Sequence, residues 1–375
     1  MRLARKKAKR RRLVVALGLI LSSILILAVT DVMPAIFLAD SVRLRAADDQ
    51  RIPVAALGDS DSHGFQDKLC WPPGSKHRGG AYRDTTLQWT EVLAQLRPDQ
   101  VDLGDRGIWG TRRRVAGILA FFGIDRRAPR KQDHQYNFAF GAAHCHDLAT
   151  GLFRQVPRLL DLMRHQPGRW RNGVVILRIG IVNLGGASEL SEMAQDPTAV
   201  ALTEKIRACT AHIEQAVAEI REQHAETRVL LVGILNNADF PPLLEKWRSS
   251  QEIANIDLAL DQFDGSLRQL AERDPRIAFF DDREWFRTRW GARGPDGMPA
   301  YRQVAIGNAL QVTHSMGDAP TNSILADGHA GMVWNILWAQ SVSAALSGEL
   351  GLPIEPIGDL EVQQFAASQL AAAHR

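Results

Sequence analysis

The chain has 375 residues, 45% of them hydrophobic and 23% charged, with a formal net charge of +3. That is the make-up of a globular protein with room for a sizeable core, and it excludes a disordered chain. Eight cations stand in residues 1–12 without an acid among them, which leaves the remainder at −5 and argues against a generally basic, nucleic-acid-binding surface.

Residues 1–12 form a basic head, and 13–30 follow as an apolar segment, uncharged from Leu13 to Val29. A basic head before an apolar run is the pattern of a transmembrane anchor or a signal segment. The run exceeds the usual signal core, which favours a single N-terminal membrane anchor, and the charge bias then puts the rest of the chain outside the cytoplasm (periplasmic). Cleavage near Ala35 or Ala39 would release it instead. Residues 31–51 read as a linker.

Ile52 to Leu57 has the length and flanks of a buried strand, ended by Gly58 and followed by Asp59, Ser60, Asp61 and Ser62 in a loop closed by Gly64. A serine at the carboxyl end of the first strand of an open α/β sheet stands where such folds bind ligands. Leu87, Val92, Leu93 and Leu96 have helical spacing that stops before Pro98, and Val101 to Leu103 reads as a short strand. Residues 104–134 are a basic, irregular insertion containing Arg112, Arg113 and Arg114.

A second polar block runs from Tyr136 to Leu148 and contains Gly141 and Ala142. His144 and His146, two apart in a loop without nearby carboxylates, read as surface residues, so no metal site is expected. Val156 to Met163 is amphipathic. Val174 to Val182 is the strongest buried strand and runs into Asn183. Ile206, Cys209, Ile213, Val217 and Ile220 mark a helix over Ala199 to His224. A strand at Val229 to Leu235, a helix at Ile256 to Glu272 and a strand at Ile277 to Phe280 continue the alternation. Residues 283–322 read as an irregular insertion, a lid or substrate wall. Asp327, Gly328 and His329 precede an apolar helix, Met332 to Leu346, and 351–375 reads as a C-terminal tail.

Five strands alternating with helices imply a parallel sheet covered on both faces, a three-layer α/β/α sandwich. No glycine-rich nucleotide motif is present, and no cofactor is expected. The three cysteines are too few for a disulfide framework. Cys209 falls on the apolar face of its helix and reads as packed there; Cys70 and Cys145 are the pair that could close in an oxidising compartment.

Taken in order, four blocks resemble those of the SGNH (GDSL-type) hydrolases. They are Gly58-Asp59-Ser60-Asp61-Ser62, Asn137 through Gly141-Ala142 to Asp147-Leu148, Arg178-Ile179-Gly180 with Asn183, and Asp327-Gly328-His329. The resemblance spans residues 52–346 and assigns 52–350 to one hydrolase domain. It implies a flavodoxin-like five-stranded sandwich with Ser60 as nucleophile, His329 as general base and Asp327 orienting it. Oxyanion donors would come from Ser60, from Gly141 or Ala142, and from Asn183. Three places depart from the pattern: the family glycine falls on Ala142, the family asparagine slot holds Val182 with Asn183 one place later, and Asp327 stands one residue closer to His329. The implied activity is ester hydrolysis through an acyl-enzyme on a small-molecule, lipid or glycan ester, with no nucleic-acid partner. Two alternatives remain open, an acyltransferase that delivers to a sugar hydroxyl and a catalytically silent protein that binds a glycan or lipid.

Overall fold

Five apolar runs form the sheet that the alternation predicts. They are β1 (Ile52–Gly58), β2 (Val101–Asp102), β3 (Val174–Arg178), β4 (Arg228–Val232) and β5 (Ile277–Phe280), all parallel and ordered β2-β1-β3-β4-β5. This is the flavodoxin-like order, in which the chain winds outward in opposite directions from β1 and β3. The crevice at their carboxyl ends is therefore the ligand position of the fold.

The structure, a computed structural model, describes residues 45–46, 49–308 and 310–373, with Ser22 alone from the N-terminal segment. The anchor or signal expected at 13–30 lies outside the described residues. Among those residues, no helix is long and apolar enough to cross a membrane. They fall into two compact units, 45–107 with 131–373, and 108–130.

In the larger unit, side chains alternate between two cores, as the period of two in a strand requires. Ala55, Leu57, Val175 and Leu177 face one layer, with α2 (Gln155–Met163), α3 (Val200–Gln223) and α4 (Ser250–Glu272). Val54, Ala56, Val174 and Ile176 face the other. That layer holds α1 (Trp89–Leu96), α5 (Asp282–Trp290), α6 (Met332–Gly348) and α7 (Asp359–Ala373). Every residue of β1 and β3 is buried, which is why these runs lack polar alternation.

Several expectations are corrected. The strand from Val174 stops at Arg178, because Gly180 turns the chain at φ 126 into a short helix, Ile181–Leu184. The described residues of 283–322 hold regular structure. They contain most of α5, whose Trp285, Phe286 and Trp290 are buried, and nearly all of a three-stranded sheet of β6 (Val304–Ile306), β7 (Leu310–Met316) and β8 (Asn322–Ile324). The C-terminal tail forms α7, which buries Val362, Phe365 and Ala366. The end of the linker belongs to the body, since Arg45 pairs with Asp102 and Asp105, and Arg169 reaches Asp49. Cys145 is joined to Cys209 by a disulfide and Cys70 is free and exposed, so neither the expected pair nor the merely packed Cys209 stands. The two cysteines share one core, with Cα atoms 5.1 Å apart, a proximity their sequence separation of 64 conceals.

Candidate active site

Gly58 ends β1 at φ 151, and a Cβ there would lie 2.0 Å from the Arg178 carbonyl oxygen of β3. Only glycine lets the two strands meet so closely at their carboxyl ends. The loop beyond folds around Asp59. Its carboxylate accepts the Asp61 N–H (3.0 Å), and its carbonyl accepts those of Ser62 and His63 (3.2 Å each). Burial, with Asp61 beside it, pushes the Asp59 carboxyl up to about 8.

The next three carbonyls are also occupied. Gln88 Nε2 donates to Ser60 O (3.3 Å), Trp89 Nε1 and Arg178 donate to Asp61 O (3.2 Å each), and Asn137 Nδ2 donates to Ser62 O (2.7 Å). Arg178 is itself held by Asp282 (2.7 Å) and stacks on Trp338. Ser62 is fully buried and its Oγ accepts from Trp89 Nε1 (3.2 Å), which leaves half-buried Ser60 as the candidate nucleophile.

Farther along, the loop rests on buried charges that the sequence reading missed. Gly64 N–H donates to Asp133 (3.0 Å), and Phe65 and Gln66 N–H donate to Glu91 (3.1 Å each). Lys131, 2% exposed, pairs with the fully buried Asp133 at 2.9 Å and also donates to the Ala139 carbonyl. A buried ion pair that takes backbone partners as well leaves no uncompensated charge. Burial, helped by Asp133, pushes Glu91 up to about 7.

His63 is likewise buried, with Nε2 3.0 Å from Asp67 and Nδ1 3.2 Å from the Gly141 amide. An amide N–H always donates, so Nδ1 accepts and Nε2 carries the proton. Burial holds His63 below its ordinary value against the pull of Asp67. Together with Cys70, these residues bring three metal-type ligand atoms within 4.8 Å of one another. A metal on Nε2 would require the proton on Nδ1, facing the Gly141 N–H, so the set does not fit a bound ion.

The second block adjoins the first through Phe140 N–H, which donates to Gly58 O (3.3 Å). The Gly141 N–H is spent on His63, which leaves Ala142 as the unengaged amide of the two that the resemblance offers. Ala142 stands where the family pattern has glycine and adopts φ 63, the left-handed conformation glycine takes without strain. Among the described residues its N–H, like that of Ser60, has no acceptor. Asn183 is fixed from the same block: Oδ1 accepts the Cys145 N–H at 2.9 Å, and Nδ2 has no acceptor among the described residues. The shifted asparagine thus still presents an oriented amide.

At the last block, Asp327 Oδ1 lies 3.1 Å from His329 Nδ1, and Gly328 at φ 83 lets the carboxylate fold back onto a ring two residues on. Asp327 Oδ2 accepts both the backbone N–H and Nη1 of Arg78, each at 2.9 Å. Burial would raise Asp327, but His329 and Arg78 outweigh it and hold the carboxyl well below the usual range. The His329 ring stands edge-on to Phe65 at 6.5 Å, and the Arg78 guanidinium lies 5.0 Å over Phe65 and 4.3 Å over Trp71. The histidine loop therefore adjoins the nucleophile loop, although no hydrogen bond joins Ser60 Oγ to His329. A cleft of about 620 Å³ opens beside Asp327, its walls including Ser75, Lys76, His77 and Asp318. Arg78 lies some 250 positions before Asp327, and nothing in the sequence pattern signals the pairing.

No family model matches the chain, and no curated protein matches it in sequence. Among solved structures it is similar to an extracellular lipase from Streptomyces rimosus, at 14% identity over 70% of this chain and 92% of that one, TM-score 0.35. It is similar to the lipase Lip_vut3 from a goat rumen metagenome, at 15% identity over 64% and 84%, TM-score 0.32. It is also similar to the salicylyl-acyltransferase SsfX3 from a tetracycline biosynthetic pathway, at 15% identity over 84% and 61%, TM-score 0.33.

Proposed function

We propose that the protein is a serine ester hydrolase of the SGNH (GDSL-type) kind, working through an acyl-enzyme on Ser60. The observation that carries this reading is a set of three donors, Ser60 N–H, Ala142 N–H and Asn183 Nδ2, without acceptors on adjoining loops whose other polar groups are largely engaged. Donors left unspent in this way suit the charge that develops on an ester carbonyl oxygen.

Asp327 holds the proton of His329 on Nδ1, so Nε2 is the base. It takes the Ser60 hydroxyl proton as Oγ attacks the carbonyl carbon, and the three donors receive the oxyanion. Collapse breaks the ester C–O bond, and His329 returns its proton to the leaving alcohol. Water, deprotonated by His329, then attacks the acyl carbon and regenerates Ser60. Closure of the gap between Ser60 and His329 accompanies substrate binding, as is common where apo geometry is loose. Ser75, Lys76, His77 and Asp318 on the cleft beside Asp327 offer polar groups to a hydroxylated acceptor, so a sugar hydroxyl in place of water is the second reading.

A fluorophosphonate probe tests the proposal. Wild type should be labelled and Ser60→Ala should not, with loss of p-nitrophenyl ester hydrolysis on the order of 10⁴-fold. Wild type that neither takes the probe nor cleaves such esters would leave only the silent binding protein. We further propose that this domain acts outside the cytoplasm, tethered by residues 13–30. The Cys145–Cys209 bond supports that reading, because disulfides persist in oxidising compartments. Retention of the full chain in membranes after alkaline carbonate washing checks it.

A further inference from the structure

One stretch of surface concentrates apolar side chains that the chemistry does not use. Of the ten large hydrophobic residues exposed among the described residues, Ile108, Ile118, Phe121 and Phe122 all lie between positions 108 and 122. Phe121 is 85% exposed and Phe122 70%. Their helix, Arg113–Phe121, buries Val115, Ala116 and Leu119, so it already has an inner face. Arg114, Ile118, Phe121 and Phe122, at steps of four and three, form a second stripe on the outside. Arg112, Arg113 and Arg114 are exposed at its start. The segment is closed on itself by the Thr111 amide to the Arg127 carbonyl (2.8 Å) and the Ile124 amide to the Leu119 carbonyl (2.9 Å). A cationic first turn followed by solvent-facing aromatic rings is the pattern of a helix that lies in the headgroup layer of a membrane.

A separate observation ties this excursion to the N-terminal segment. Arg45, where the described chain begins, ion-pairs with Asp105 at 2.5 Å and with Asp102 at 2.8 Å. Asp105 stands three residues before Ile108, a reach of at most ~10 Å. The excursion thus begins three residues from a partner of Arg45. Arg45 lies fifteen positions after residue 30, so a bilayer holding residues 13–30 lies within ~50 Å of Arg45 even with the arm fully extended.

We propose that residues 108–130 dock on the surface of an anionic bilayer, with Ile118, Phe121 and Phe122 entering the headgroup boundary and Arg112, Arg113 and Arg114 meeting lipid phosphates. The cation–phosphate attraction and the apolar insertion act together, as is usual for interfacial helices. The docking is independent of the chemistry at Ser60.

Hydrogen exchange of the full chain in lipid nanodiscs tests this, with phosphatidylcholine alone compared against discs containing about one-third phosphatidylglycerol. Amides of residues 114–124 should exchange on the order of tenfold more slowly on the anionic discs. The double variant Phe121→Ser/Phe122→Ser should lose that protection while cleaving a soluble ester at the wild-type rate. Equal exchange on both discs would overturn the docking while leaving the tether intact. A chain that associates with neither disc would overturn both. Protection that requires two chains per disc, seen by cross-linking, would overturn it in favour of a second copy as the occupant.

Discussion

The two sides of the candidate site are built to different standards. The nucleophile loop has the carbonyls of residues 59–62 occupied, and it is underlain by Lys131, Asp133 and Glu91 at almost no exposure. The histidine side is a short loop whose carboxylate is held by Arg78, with His77 Nδ1 3.7 Å away, and whose imidazole is 24% exposed. On the proposed roles, the oxyanion side is the more heavily buttressed of the two and the base the more exposed. A nucleophile must not wander, and a proton carrier has to reach both Ser60 and a leaving group.

Substitutions can break or sharpen that contrast. The largest stability effect should come from the underside of the nucleophile loop. Lys131→Met leaves Asp133 charged and buried, and should cost about 3–5 kcal/mol in urea unfolding. On the same side but acting on rate, Asn183→Ala should lower kcat about 10²–10³-fold with KM little changed, as removal of an oxyanion donor does. On the histidine side, Arg78→Lys keeps the charge but loses the planar stack over Phe65 and Trp71. It should lower kcat by about tenfold in steady-state assays, with much less effect on unfolding than Lys131→Met. An Arg78 variant as unstable as the Lys131 variant would show that the two sides are equally rigid.

The smallest effect is one of pH. The Asp59 carboxyl, raised to about 8, keeps its proton in the folded chain where the unfolded chain has lost it, from about pH 4 upward. Stability contributed by that proton is therefore full in acid and declines as pH rises through about 8, and Glu91 at about 7 acts in the same direction. Asn in place of Asp59 keeps the contact with the Asp61 amide and cannot ionise. Asp59→Asn should match wild type in melting temperature near about pH 4 and exceed it near about pH 9. Asp67, Asp133 and Asp327, all held below the usual range, work in the opposite sense and lose their contribution as the solution is acidified.

Much of the scaffold was legible because its strands are buried on both faces and leave continuous apolar runs, as at Val54 to Leu57 and Val174 to Leu177. Short strands carry no such signal. The three residues of β6 and of β8 are defined by their neighbours, so residues 283–322 looked irregular. In α5 the apolar residues Trp285, Phe286 and Trp290 sit among arginines and acids, and the charges hid the buried stripe. At the site, Ser60, Asp327 and His329 were picked out by resemblance to the family's motif blocks, and their catalytic roles belong to the proposal above. His63, Arg78 and Lys131 were not, because each matters through a partner brought near only by the fold. Which of Gly141 and Ala142 keeps an unengaged amide was hidden for the same reason: a histidine 78 positions earlier takes the first and leaves the second.

The bond between Cys145 and Cys209 reaches further than the two sulfurs. Cys145 carries the amide that aims Asn183, and Cys209 lies on the 24-residue helix α3, so that helix braces the asparagine through this link. In a reducing cytosol both sulfurs stay as thiols and the brace is packing alone. Preparations made in different expression hosts are therefore comparable only after their free thiols have been counted, with one expected in the intact protein, from Cys70.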